Sequence, residues 1–318
     1  MKKITSIVLA VSAVFALAGC SKAASKKNFI LATGGTSGTY YPFGGAIANI
    51  WNTKIEGMNV TAQSTGASAE NLRLISTGDA EYATVQNDVM DYAYNGTDMF
   101  EGKALPNIAT LGTMYPEVIQ IAASKSSGIK TIRDLKGKRV SVGDAGSGVE
   151  FNAKQILEGY GLTFDDIKKA NLSFKESGEG LQNGTLDACF ITAGVPNAAL
   201  QELAFTNGLV LIPVNGAEAD AICEKYQFYT KTTIPGGTYK GTDEDTDALS
   251  IKCTIAVNAN LDEDTVYKMT KVLFENLEEL GNAHAKGKEV SAEKAVTGCS
   301  VPFHPGAKKY FEEIGLIK

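Results

Sequence analysis

The sequence predicts an α/β protein made of two lobes joined by two crossings of the chain, and three observations carry that prediction. From Asn28 onward short apolar runs alternate with helical patterns that open on Gly, Ser, Thr or Asp, the order expected of successive βα units. A second series of such units starts near Arg139, and in each series a glycine-rich loop follows the first strand, although no internal sequence repeat is visible. The long apolar stretches Ile108 to Ala123 and Leu249 to Val257 stand where the chain leaves the first series and returns to it, which places the crossings near residues 115 and 250.

In order, Phe29 to Ala32 reads as a strand, Thr33 to Thr39 as a loop and Tyr40 to Asn52 as a helix with Phe43, Ile47, Ile50 and Trp51 on one face. Trp51 is expected in the core. Asn59 to Gln63 reads as a strand, Ala67 to Ser76 as a helix, Tyr82 to Val85 as a strand and Asp88 to Tyr94 as a short helix. After the apolar stretch interrupted by Pro116, the second series reads as strand Arg139 to Val142, loop Gly143 to Gly148, helix Val149 to Tyr160 and strand Leu172 to Phe174. It continues with helix Gly178 to Asn183, strand Ala188 to Ile191, helix Pro196 to Ala204 and strand Leu209 to Pro213. Beyond Val257 the chain turns helical over Asp262 to Leu280, Ser291 to Val296 and Gly306 to Ile314. The expected division is residues 28–115 with 250–318 as one lobe and 116–249 as the other, with a ligand between them.

The N-terminus sets an expectation about place. Lys2 and Lys3 precede an apolar run from Ile4 to Leu17 that closes on Leu17-Ala18-Gly19-Cys20, the pattern of a lipoprotein signal in which the Cys20 thiol is acylated and residues 1–19 are removed. That run is 14 residues long, short of the roughly 20 that a spanning helix needs. Residues 20–27 read as a short flexible stalk. The expected product is an extracytoplasmic protein held at the cell membrane by lipid on Cys20.

Losing Lys2 and Lys3 takes 30 basic residues to 28 against 36 acidic ones, a net charge of -8. A mildly acidic surface argues against nucleic acid and against docking on anionic lipid. Cys189, Cys223, Cys253 and Cys299 are too widely spaced for a metal or redox motif; an oxidising exterior permits disulfides, in any of three pairings. His284 and His304 sit in no metal-ligand spacing, and no motif asks for a metal or other cofactor.

Both glycine-rich loops lie between a strand and a helix start, where backbone N–H groups and the helix dipole favour an electron-rich group. In the first, Gly34, Gly35 and Gly38 allow close approach while Thr36, Ser37 and Thr39 supply hydroxyls, and Tyr40 follows. In the second, Ser147, Gly148 and Val149 are the candidates, with Ser147 equally readable as the cap of a Ser-x-x-Glu box. Gln86 and Asp88 end the third strand at the carboxyl edge of the sheet, where open α/β folds bind ligands; Asp88 suits a ligand ammonium or a helix cap. Thr65 and Ser68 follow the second strand, and Gly194 and Pro196 follow a strand of the second series. The arginines Arg73, Arg133 and Arg139 all lie outside these loops, so a carboxylate here would be held by hydroxyls and backbone N–H groups. Ser147 lacks a GxSxG elbow and neither histidine is placed as a base, so the residues do not describe an enzyme.

In this order, TGGTSGTYYPFGG (residues 33–45), QNDV (86–89), IKTIRDLKGKRVSVGDAGSG (129–148), Gly194 to Pro196 and VPFHPGA (301–307) resemble the extracytoplasmic solute-binding proteins of TAXI-type TRAP transporters. The resemblance runs nearly the whole length after Cys20. It implies the two-lobed type II periplasmic-binding-protein fold, a cleft that closes on a small solute such as glutamate, glutamine or a related dicarboxylate, and delivery to a TRAP membrane permease on separate chains. Val195 departs from the family pattern. His304, within VPFHPGA, is expected to pack a structural turn. Two other roles share this fold: a substrate-binding lipoprotein of an ABC importer, and a ligand sensor for a membrane kinase.

Overall fold

Residues 27–318 are described by a computed structural model. Cys20, the leader and all of the stalk except Lys27 lie outside the described residues, and Lys27 itself opens the first strand. The first series is β1 (Lys27–Ala32), α1 (Tyr40–Lys54), β2 (Met58–Gln63), α2 (Ser68–Thr77), β3 (Tyr82–Gln86) and α3 (Asn87–Asn95), followed by β4 (Ile108–Ser124). The second comprises β5 (Arg139–Ser141), α4 (Gly148–Gly159), β6 (Lys168–Ala170), α5 (Phe174–Gln182) and β7 (Ala188–Ala193). It goes on through α6 (Ala198–Thr206), β8 (Leu209–Ile212), α7 (Gly216–Lys225) and β9 (Thr230–Ile234). The return strand β10 (Thr246–Asn258) leads to α8 (Glu263–Glu275), α9 (Leu277–Ala283), α10 (Ala292–Ala295) and α11 (Pro305–Glu313).

The strands form a mixed sheet in the order β2-β1-β3-β10-β4-β7-β5-β6, with β8 paired to β4 and β9 to β10. β1 runs parallel to β2 and β3 at one end, and β5 parallel to β6 and β7 at the other. Between them β4 and β10 are antiparallel and serve both halves. β4 has 17 residues, which at roughly 3.3 Å per residue reaches about 55 Å. These strands are the two crossovers that join the halves of the fold.

The apolar cores change over partway along both strands. Tyr115 and Cys253 pack with Leu31, Phe43 and Trp51, whereas Ile119 and Ile251 pack with Val140, Ile156 and Phe190. At the changeover the ladder is interrupted: Pro116 stands opposite Lys252 without an N–H to give, and the register shifts between Lys252 and Thr254. The Lys252 N–H instead donates to Asn87 Oδ1 at 3.0 Å. The C-terminal helices belong to the first core, where the buried Trp51 donates its indole N–H to Met269 O at 2.8 Å.

Elements differ from expectation in four places. Leu172 to Phe174 is not a strand: Ser173 caps a helix, its Oγ accepting from the Glu176 N–H while Glu176 accepts from the Ser173 N–H, so α5 starts at Phe174 and the strand lies earlier, at β6. The helix α7 and the strand β9 were not anticipated. The helix over Asp262 to Leu280 breaks at Asn276, whose Nδ2 donates to Val272 O at 2.7 Å. All four described cysteines are free thiols, Cys189 and Cys253 being buried. His304 caps α11, with Nδ1 accepting from the Gly306 N–H at 3.1 Å and Nε2 lying 3.1 Å from Leu261 O. Among the described residues no helix is long and apolar enough to cross a membrane.

Candidate functional site

The loop from β1 into α1, the start of α2, the end of β3, the loop from β5 into α4 and the end of β7 meet around a cavity between the two lobes, with about 510 Å³ of empty space when the solvent at its mouth is included. Of the residues expected to touch a ligand, Ser37, Thr39, Tyr40, Ser68, Gln86, Ser147, Gly148 and Val149 line it.

The β5–α4 loop can adopt its path only with glycine at its start. Gly143 has φ +86°, and a Cβ there would stand 2.8 Å from Val149 Cβ and 2.9 Å from Ser147 Oγ. Ser147 then caps α4, its Oγ accepting the Glu150 N–H at 3.3 Å. The box is not closed as expected: Glu150 reaches back to the Gly146 N–H at 2.7 Å, and Lys169 pairs with it at 2.7 Å. Capping and facing the cavity therefore coexist at Ser147, because a hydroxyl oxygen has a second lone pair and a proton.

Gln86 is the other pole. It is 2% exposed, and its Oε1 has no hydrogen-bond partner in the protein. Its backbone N–H donates to Ser68 Oγ at 3.1 Å. The side chain lies so close over Gly148 that a Cβ there would fall 1.9 Å from Oε1. A buried amide oxygen left unpaired is costly, and Gln86 lines the cavity.

Five expected contacts lie elsewhere. Thr36 is exposed and Pro196 is exposed on the turn into α6. Thr65 braces the loops from within, its Oγ1 2.6 Å from Asn71 Oδ1 and 3.0 Å from Thr33 O. Gly194 acts by bridging: its N–H donates to Thr39 Oγ1 at 3.1 Å, and beside it Asn197 Nδ2 donates to the Ser37 carbonyl at 3.3 Å. Asp88 is fully buried outside the cavity, accepting from the Val89 N–H at 2.8 Å and from Asn152 Nδ2 at 3.1 Å. Burial pushes its carboxyl up to about 7, against the pull of those hydrogen bonds. Asp88 is the second residue of α3, whose N-cap is Gln86, and its bond to the Val89 N–H lies within the first turn.

Glu117, Asp144, Phe174, Thr192 and Ala193 line the cavity without having been singled out. Glu117 had a signal: it is the only charged residue between Ile108 and Ala123. It is 1% exposed and accepts from Tyr40 Oη at 2.8 Å. Burial drives its carboxyl well above the usual range, the Tyr40 hydrogen bond pulls it down, and the charge of Asp88 adds to the rise. Asp144 is also raised, by burial and then by Glu176.

Among the described residues no lysine, arginine or histidine lines the cavity. Arg73 lies over the Phe100 ring at 5.1 Å, with Nη1 4.0 Å from a Cβ built on Gly146. Lys286 sits behind Gly194, its ammonium 2.6 Å from Glu289.

The fold is shared with known binding proteins. SsuA, the periplasmic aliphatic sulphonate binding protein from Escherichia coli, matches with a TM-score of 0.51 at 15% identity over 91% of this chain and 84% of that one. A binding protein component of an ABC phosphonate transporter from Pseudomonas aeruginosa gives 0.52 at 13% identity, over 82% and 79%. A mutant of ArgBP from T. maritima gives 0.51 at 14% identity, over 83% and 94%. The sequence matches the model of the NMT1-like family across residues 31–315, from the end of β1 to beyond α11, so this protein belongs to the NMT1-like family.

Proposed function

We propose that this protein is an extracytoplasmic solute-binding protein, tethered by lipid on Cys20, that captures a small polar solute by closing its lobes and presents it to a TRAP-type membrane permease. One observation carries the reading: a single cavity is lined from both lobes, by Tyr40, Ser68 and Gln86 on one side and by Ser147, Gly148 and Thr192 on the other, and Gln86 Oε1 has no protein partner. We take residues 28–115 with 250–318 and 116–249 as the lobes. Solute contacts are assigned to Ser37, Thr39, Tyr40, Ser68, Gln86 and Ser147 with the backbone at Gly148 and Val149. Of the solutes that the resemblance implies, the absence of a cationic side chain from the lining suits glutamine better than glutamate or a dicarboxylate.

Capture is tested with the protein lacking residues 1–19. Addition of a bound solute is expected to lower the radius of gyration in small-angle scattering, because contacts from both lobes favour the closed form. Solute at about 100 times its Kd stabilises by about 2.7 kcal/mol, a rise in Tm of roughly 2–4 °C per kcal/mol. A cleft that keeps its open dimensions with solute bound would refute capture by closure. A second reading, an ABC importer component, draws on the phosphonate-transporter neighbour. An adjacent ATPase gene with a GxxxxGK[ST] motif would favour it, and an adjacent TRAP permease gene would exclude it.

A further inference from the structure

We infer that the captured solute carries a cationic nitrogen, that Glu117 receives it, and that the pairing is what lets the lobes close. This rests on the solute-binding reading and narrows it to a chemical class.

The position of Glu117 is the first step. It follows Pro116 at the point where the cores change over and the ladder is interrupted, so it belongs to the crossover itself and faces the cavity. Among the described residues the only hydrogen bond to its carboxyl comes from Tyr40 Oη, at 2.8 Å. The titratable groups around it are Tyr40 from α1, Asp88 from α3, Cys253 from β10 and Tyr115 on its own strand. None of them is a cation. A carboxylate enclosed in this way must either take a proton or meet a positive charge, since a bare buried charge is far more costly than either.

The rest of the lining points the same way. Asp144 brings a second carboxyl from the opposite core, and Gln86 Oε1 is an acceptor without a donor. Acceptors and carboxyl groups gather here, and among the described residues the lining contributes no lysine, arginine or histidine. A solute rich in N–H donors, zwitterionic or net positive, fills those needs together. A dicarboxylate would add two negative charges beside two carboxyl groups, with only hydroxyls, the Gln86 amide N–H groups and backbone N–H groups to hold them.

Closure follows from the same charges. With the cleft open, Glu117 is hydrated and ionised; closing over it without a partner demands a proton, while closing over a cationic nitrogen does not. The solute's charge thereby contributes the differential affinity for the closed state that a conformational switch requires. Above the ordinary carboxyl range a proton competes with the cation for Glu117, so affinity rises with pH until Glu117 is ionised in the empty closed form. Asp88 gives a slope of the opposite sign, since closure buries it, and comparing two proteins that both retain Asp88 cancels that contribution.

The test is calorimetry and thermal shift on the protein lacking residues 1–19 with two probe sets. One contains L-glutamine, L-lysine, L-arginine and putrescine; the other contains 2-oxoglutarate, glutarate and succinate. Binding is expected only within the first set. Glu117→Gln, an isostere that keeps an acceptor for Tyr40, is expected to weaken it at least tenfold and to flatten the rise of affinity with pH relative to the wild type. Glu117→Asp should restore part of the affinity. A melting temperature for Glu117→Gln without solute at or above that of the wild type shows that the loss is not one of folding. Binding of 2-oxoglutarate or succinate by the wild type, or a Glu117→Gln protein that binds as tightly as the wild type, overturns the cationic assignment and leaves solute capture standing. If neither set moves the melting temperature, capture and assignment fall together.

Discussion

Thr39 Oγ1 accepts the Gly194 N–H across the cleft, and Ser147 Oγ caps α4 while facing the cavity, so deleting one oxygen has different signatures at the two sites. Thr39→Ala removes a bond made between the cores and leaves an N–H unpaired. A neutral hydrogen bond with its stranded partner amounts to about 1–2 kcal/mol, or roughly a 5- to 30-fold weakening of solute affinity. Ser147→Ala is expected to weaken binding by a similar factor, and also to lower the stability of the unliganded protein by about 1 kcal/mol through the lost cap. Calorimetry paired with melting of the empty proteins separates the two; equal affinities in all three proteins would remove both oxygens from the site. Hydroxyl and glycine positions of this kind are legible because few residue types fit the turn from strand to helix. Asp88 was not, since a carboxylate at a helix start reads alike whether it meets a ligand or its own N–H groups. Glu117 was legible in principle, yet what makes a lone acid in an apolar strand informative is which side of the sheet opens onto a cavity, and that is a tertiary fact.

At the scale of elements, α11 sits on α8 through a contact that admits no side chain. A Cβ on Gly306 would lie 2.3 Å from Glu263 O and 2.5 Å from Tyr267 N, backbone atoms that cannot rotate away. Gly306→Ala is therefore expected to cost about 1–3 kcal/mol by overpacking and to lower Tm by roughly 2–12 °C. Gly45, inside α1, is its control, because nothing stands within 4 Å of a Cβ there. Gly45→Ala should raise stability by up to about 1 kcal/mol through helix propensity. If both substitutions shift Tm in the same direction, the packing argument is wrong. Strands and helices with a clean apolar face, such as β3 and α1, could be bounded from sequence nearly to the residue. The errors fell where a local cap competes with an apolar pattern: Leu172 and Phe174 suggest alternation, but the reciprocal bonds of Ser173 and Glu176 fix a helix start. β9 carries mostly polar side chains and is a strand because it pairs with β10, which no local pattern reveals.

At the scale of the whole molecule, the alternation of elements and the two long apolar runs made the lobes legible, but the network that joins them was not. Asn152 of α4 donates to Asp88 Oδ2 of α3, stands 2.9 Å from Tyr229 Oη and accepts from Thr192 Oγ1; Tyr229 donates to Gln155, and Gln155 donates to Tyr92 Oη. The charges and rings acting on Asp88 and its neighbours are Asp98, Glu117, Tyr92, Tyr226 and Tyr229, none of them cationic. We take the structure, with its Gly194–Thr39 bond between the lobes, as the closed form; in it burial holds Asp88 near pKa 7, whereas hydration on opening or unfolding returns a carboxyl to about 3.9. Between about pH 4 and 7 the closed form accordingly binds more protons than the open or unfolded one. Its share of both closure and folding stability is then largest at low pH and is lost as pH rises through that window. Glu117 acts with the same sign when no solute is present. Without solute, the wild type is expected to scatter as a smaller particle at pH 5 than at pH 8. Asp88→Asn should reduce that difference, and Asp88→Asn with Glu117→Gln should abolish it. Identical wild-type dimensions at the two pH values, with the protein folded at both, would show that neither carboxyl is buried by closure.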